Sequence, residues 1–98
     1  DDLPLLKQVF ALVPLEHSEL LSDQALCVRG MTRLLELAND EDKPRFQLFL
    51  DYALEHKSII ERFGRFPHRN VVLDRASTEN ERFFLADAKT YGQNKPVR

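Results

Sequence analysis

Between Lys43 and Phe63 the chain carries one unbroken helical pattern, and nothing else in the sequence limits the fold as strongly. Phe46, Phe49, Leu50, Ala53, Ile60 and Phe63 recur mostly at three- and four-residue intervals, which gathers them along one side of a helix of about five turns. Its ends are marked as well. Asp42 precedes Lys43-Pro44, so a carboxylate is placed to accept an early backbone N–H and the proline falls where a missing donor does no harm. Gly64 follows Phe63 and supplies the left-handed residue that closes a helix C-terminus. A helix with so broad an apolar stripe cannot bury it alone and demands further helices against it.

The rest of the chain offers them. Leu6, Val9, Phe10 and Val13 line one side of an earlier helix that Pro4 can open, and Pro14 is expected to stop or bend it. A tight connection through Leu15-Glu16-His17-Ser18 then leads to a second helix capped by Ser18 or Ser22. That helix runs through Ala25, Val28, Met31, Leu34, Leu35 and Ala38, with Gly30 inside it at a cost of about 1 kcal/mol in propensity. Asn39-Asp40-Glu41-Asp42 ends it with turn-forming residues. After Gly64 the periodicity breaks. Val71-Val72-Leu73 reads as a short apolar anchor, helical turn or extended piece, and Thr78 caps a last short helix in which Glu81 completes a capping box. Phe83, Phe84 and Leu85 give that helix material to pack, and residues 89–98 are expected to form a flexible polar tail. The fold class is all-α, built of antiparallel helical hairpins.

Size and charge narrow the function classes. A chain of 98 residues supports one helical domain or the carboxyl-terminal part of one. A hydrophobic share of 43% beside 31% charged residues belongs to an ordinary globular protein. A net charge of −2 gives no general case for nucleic acid, whose binding needs a positive surface to displace counterions. The one cysteine, Cys27, cannot form an internal disulfide and reads as a buried reduced thiol. No apolar run approaches the roughly 20 residues of a membrane-spanning helix, and Asp1-Asp2-Leu3-Pro4 lacks a secretory signal's pattern. The cytoplasm is the expected compartment.

The polar residues are unevenly placed. Arg62, Arg65, Arg69 and Arg75 share a short region with Asp74, whereas residues 16–42 hold Glu16, Glu19, Asp23, Glu36, Asp40, Glu41 and Asp42 against Arg29 and Arg33. Planar guanidinium groups suit either a structural network with carboxylates and backbone carbonyls or the capture of a phosphate or carboxylate ligand. Asn70 can close a turn or orient a ligand. His56 falls four residues after Tyr52 on an apolar helix surface and reads as a histidine at the core margin. His17, with Glu16 or Glu19 nearby, and His68, flanked by Pro67 and Arg69, are the candidates for proton transfer. No zinc spacing, no cysteine pair and no phosphate-binding glycine loop accompanies them. Ser18 and Ser77 suit helix caps as well as nucleophiles.

Two stretches carry a family likeness. Pro14-Leu15-Glu16-His17-Ser18-Glu19 and the long string His56-Lys57-Ser58-Ile59-Ile60-Glu61-Arg62-Phe63-Gly64-Arg65-Phe66-Pro67-His68-Arg69-Asn70, extended by Val71 to Thr78, closely resemble the carboxyl-terminal part of the DUF924 family. The resemblance implies a helical, tetratricopeptide-like architecture and a parent domain larger than this chain. It also places His17 and Glu19 at the start of the second helix, and His56, Arg62, Arg65, His68, Arg69, Asn70 and Arg75 in a polar core or cleft, with no catalytic role attached to any of them. The family pattern usually has glycine where Asp74 stands and often proline where Glu79 stands, which puts a left-handed turn at Asp74 in question.

The expectation for function is binding of an anionic small molecule or protein partner through Arg62, Arg65, His68, Arg69, Asn70 and Arg75, with no cofactor assigned. The alternatives are a small-molecule hydrolase working through His17, Glu19 and His68, with or without a metal, and a purely structural interaction protein that self-associates. Membrane and nucleic acid have no positive support among the residues.

Overall fold

The computed structural model describes residues 3–87; the expected tail at 89–98 lies outside them. Four α-helices and one short 3-10 turn make up the described chain, which contains no strand: α1 (Leu3–Glu16), α2 (Leu21–Leu37), α3 (Lys43–Phe63), the turn Pro67–Arg69, and α4 (Glu79–Asp87). They divide into two compact units, the first running through Arg65 and the second beginning at Phe66.

In the first unit α1, α2 and α3 pack in sequence order. Leu12 of α1 meets Gly30 of α2, while the end of α1 at Glu16 meets Gln24 near the start of α2, so the two helices are antiparallel. The core consists of Val9, Cys27, Met31, Leu34, Ala38, Phe46 and Ala53, with Leu5, Leu6, Leu12, Leu15, Phe49 and Leu50 packed around it. Gly30 has the packing use its position suggested: a Cβ there would lie 2.8 Å from both methyl carbons of Leu12.

The connections differ from expectation in instructive ways. Pro14 does not end α1, which continues to Glu16. A proline removes one backbone bond and crowds the carbonyl four residues before it, but so close to the helix end only the final turn is affected, and His17 N still donates to Val13 O at 3.2 Å. The connection therefore shifts to residues 17–20. Neither Ser18 nor Ser22 caps α2: Leu20 occupies the cap position without a side-chain bond, and Ser22 lies inside the helix. Ser18 Oγ instead accepts from Leu20 N and donates to Asp23 Oδ2 at 2.7 Å.

A glutamine makes the seal. Gln24 is fully buried, and its Nε2 donates to Glu16 O at 2.6 Å and Ser18 O at 2.7 Å, satisfying carbonyls that the end of α1 leaves open. At the next connection Asp42 holds the cap position of α3 in helical backbone, with no side-chain cap bond. Asn39 Oδ1 accepts from Asp42 N instead, and Lys43 Nζ reaches back to Leu35 O at 2.9 Å, a cation on the carbonyl end of α2. Gly64 closes α3 as expected, at φ 76°, with its N–H on Ile60 O at 2.8 Å.

In the second unit the capping box is present in full. Glu81 N donates to Thr78 Oγ1 at 3.0 Å and Thr78 N to Glu81 Oε1 at 2.9 Å. Asp74 adopts φ 57°, so the left-handed turn survives without glycine, a conformation that aspartate tolerates better than most residues. Val71-Val72-Leu73 is not an anchor. It forms a turn with Val71 88% and Val72 84% exposed, because the chain must reverse there and apolar character alone does not bury it.

Candidate functional site

The arginine-rich stretch begins on the last turn of α3. Arg62 is exposed there, its guanidinium carbon 4.7 Å from the centre of the Phe63 ring, within the range of a cation–π contact. Arg65, half-buried, follows the left-handed Gly64. These two residues belong to the first unit.

The second unit opens with a polar knot. Phe66 is buried and forms a platform: the Arg69 guanidinium carbon lies 4.6 Å from its ring centre and the His68 ring 5.7 Å from it. Pro67 starts the 3-10 turn, and the Arg69 and Asn70 amides donate back to Phe66 O and Pro67 O. Asn70, 1% exposed, is the centre. Its Nδ2 donates to Ser77 Oγ at 3.0 Å and Glu81 Oε1 at 3.2 Å, while its Oδ1 accepts from Arg75 Nε at 3.0 Å. Arg75 also donates from an Nη nitrogen to Phe66 O at 3.1 Å. Asn70 and Arg75 are thus turned into the knot, and they hold Phe66 and the start of α4 in register. Glu81 belongs to the same knot, 2% exposed, although its sequence position announced only a helix cap.

The proton-transfer candidates belong to different units. His17, exposed, stands edge-on to His56 with ring centres 6.2 Å apart. His56 Nδ1 lies 2.7 Å from Tyr52 O and 3.3 Å from Glu16 Oε2, the margin position expected of it. Glu19 sits half-buried in the 17–20 connection, and His68 belongs to the second unit. Among the described residues no group of three or more His, Cys, Asp or Glu side chains is placed to hold a metal ion. Cys27 is fully buried and its thiol is pushed up to about 11, chiefly by burial and secondarily by the negative charge of Glu16, so it is no nucleophile.

Gln24 was not among the residues singled out, and Glu16 was named only as a neighbour of His17. For Gln24 a signal exists: it shares the 24-27-31-34 spacing of the buried face of α2, and a polar side chain on such a stripe must find partners. Glu16 gains its place from a residue forty positions away, which no local pattern reveals.

Three packed helices closed by a Gly64 turn, with an arginine-rich segment running into a capping-box helix, define an all-α protein of four helices, with no strand among the described residues. The chain belongs to the DUF924 family, described as bacterial protein of unknown function, whose pattern matches residues 1–89. No curated protein and no solved structure matches the chain. Among the described residues no helix is long and apolar enough to cross a membrane.

Proposed function

We propose that the chain binds an anionic small molecule, or a carboxylate-bearing segment of a protein partner, through the arginine-rich stretch from Arg62 to Arg75. The observation that carries this reading is the stack of Arg69 on the buried Phe66. A guanidinium lying on a ring has its N–H groups fixed in one plane, the orientation in which arginine grips a carboxylate or phosphate through two bonds. The Asn70–Arg75–Glu81 knot supports the reading by holding the platform still, since binding is strongest where little must be ordered on contact. In this division of labour Arg62 and Arg65 of the first unit and Arg69 of the second supply charge, His68 shares the Phe66 ring with Arg69, and Asn70 and Arg75 position the loop. A tetratricopeptide-like helical frame and the cytoplasm as compartment are part of the same proposal.

Titration calorimetry with inorganic phosphate, citrate and a short acidic peptide tests it. At least one of these probes is expected to bind saturably and with salt sensitivity. The Arg65→Gln/Arg69→Gln double variant, still helical by circular dichroism, is expected to lose at least tenfold in affinity. Unchanged affinity in that folded variant removes the assignment and leaves the arginines as internal braces. The hydrolase reading has one observation in its favour, the approach of His17, His56 and Glu16; an ester and phosphoester activity screen with His17→Asn as control decides it.

A further inference from the structure

The first unit holds a second feature, which the arginine stretch does not use. α1 and α3 both pack on α2 but touch each other little, and an open groove of about 270 Å³ lies between them. Leu6, Phe10 and Val13 form one wall, Phe49 and Tyr52 the other, and Met31 lies between them on α2. From Leu6 to Glu16 the furrow follows α1 for about 15 Å, three turns of helix. Phe10 is 74% exposed and Tyr52 45%, so large apolar and aromatic surface stands along its rims.

The groove ends at a charge. Glu16 lines it, and its side chain is only 13% exposed. Among the described residues the partner of that carboxylate is His56 Nδ1 at 3.3 Å, a group that carries charge only when protonated and that also lies 2.7 Å from Tyr52 O. No lysine or arginine among the described residues lies within ion-pair distance of it. The field of Glu16 also reaches inward as far as Cys27. A carboxylate so withdrawn from water is stabilised by a permanent cation and its N–H donors. The groove therefore asks for an apolar body with a cation at one end.

We propose that this groove docks an amphipathic α-helix of a protein partner, with apolar side chains at i, i+3 or i+4, and i+7 along the furrow and a lysine or arginine meeting Glu16. Helix-in-groove recognition uses this spacing of anchors. A small ligand is ordinarily enclosed over most of its surface, whereas this furrow leaves Phe10 and Tyr52 of its lining exposed. A second copy pressing the same face would bring apolar surface but no cation, because no lysine or arginine among the described residues lines the groove.

A hydrocarbon-stapled, fluorescein-labelled model helix with leucines at i, i+3, i+4 and i+7 tests the proposal by anisotropy, with one lysine placed at its amino or its carboxyl end. One of the two placements is expected to bind saturably and to shift the His17 and His56 ring resonances. Replacing that lysine by norleucine is expected to weaken binding at least tenfold. In the Glu16→Gln variant the lysine and norleucine peptides are expected to bind alike, and Phe10→Ala, which alters only an exposed ring, is expected to weaken both. Equal binding of the two peptides to the unaltered chain overturns the proposal. So does sedimentation showing a dimer that Phe10→Ala dissolves, which assigns the groove to a second copy. Tighter binding of dodecylammonium than of any peptide overturns it in favour of a small amphiphile.

Discussion

Replacing Asn70 by aspartate changes one atom and retains the shape, and the polar knot makes a quantitative statement about the result. The amide nitrogen that donates to Glu81 Oε1 at 3.2 Å becomes an oxygen, so two carboxylates face each other in a site where Asn70 and Glu81 are 1% and 2% exposed. At an effective dielectric constant of about 20 their repulsion is about 5 kcal/mol; Arg75 Nε, 3.0 Å from the other oxygen, offsets much of it, burial of the new charge adds a cost of its own, and the bond to Ser77 is lost as well. The protein has a cheaper response. Protonating the introduced carboxyl restores a donor toward Glu81, and doing so at pH 7 costs about 4 kcal/mol for a group whose ordinary value is about 3.9. The charge-related part of the Asn70→Asp destabilisation is therefore capped at about 4 kcal/mol at neutral pH. The folded state of the variant retains a proton that the unfolded state has released, so relative stability falls as pH rises above about 4, by about 1.4 kcal/mol per unit. It recovers as pH is lowered toward that value. Asn70→Ala behaves differently: it strands Arg75 Nε and removes a donor from Glu81, at about 2–4 kcal/mol, with no such slope. Because the knot lies in the second unit, amide exchange of α4 between pH 5 and 8 is the assay, supported by urea unfolding. A flat pH profile for Asn70→Asp, or protection within about 0.5 kcal/mol of the parent at pH 7, would refute the reasoning.

Three further outcomes follow from the backbone and the core. Gly64→Ala meets nothing within 4 Å but must hold φ 76°, so urea unfolding should show a loss of about 1–2 kcal/mol from conformation alone. Asp74→Gly is the opposite case: at φ 57° glycine relieves strain, and a gain below about 1 kcal/mol is expected because the unfolded chain gains freedom too; a measured loss counts against it. Cys27, raised from 9.0 to about 11, should react with a thiol reagent at pH 8 only when the protein opens. Since the unfolded chain releases that proton first, stability should fall between pH 9 and 11, by on the order of 2 kcal/mol, and the Cys27→Ala variant should lack that decline.

What the sequence disclosed and what it hid follow from how far each interaction reaches. The apolar stripe of α3, the Gly64 terminus and the Thr78–Glu81 box were legible because their partners lie within a few residues. Pro14 does not stop α1, because the rule that proline ends helices weakens at a final turn. The cap of α2 was misassigned because Ser18 and Ser22 each had a plausible local use; Asp42 does hold the cap position of α3, but without the side-chain bond expected of it. Of the groups that complete those connections, Gln24 drew no reading and Asn39 was read only as a turn former. Val71-Val72-Leu73 looked like core because side-chain type does not say which way a reversing chain points. Asn70 was visible as a turn residue, but its bond to Glu81, eleven residues on, was not. The pairing of Glu16 with His56 belongs to tertiary packing alone.

The meeting of Gly30 with Leu12 reaches beyond stability into ancestry. With 2.8 Å between an added carbon and the leucine methyls, the two positions are not free to drift independently: a lineage that acquires a larger residue at 30 must first have trimmed or reoriented the residue at 12. Such ordered substitutions leave a paired trace, so among descendants of a common ancestor bulk at position 30 should travel with smallness at position 12.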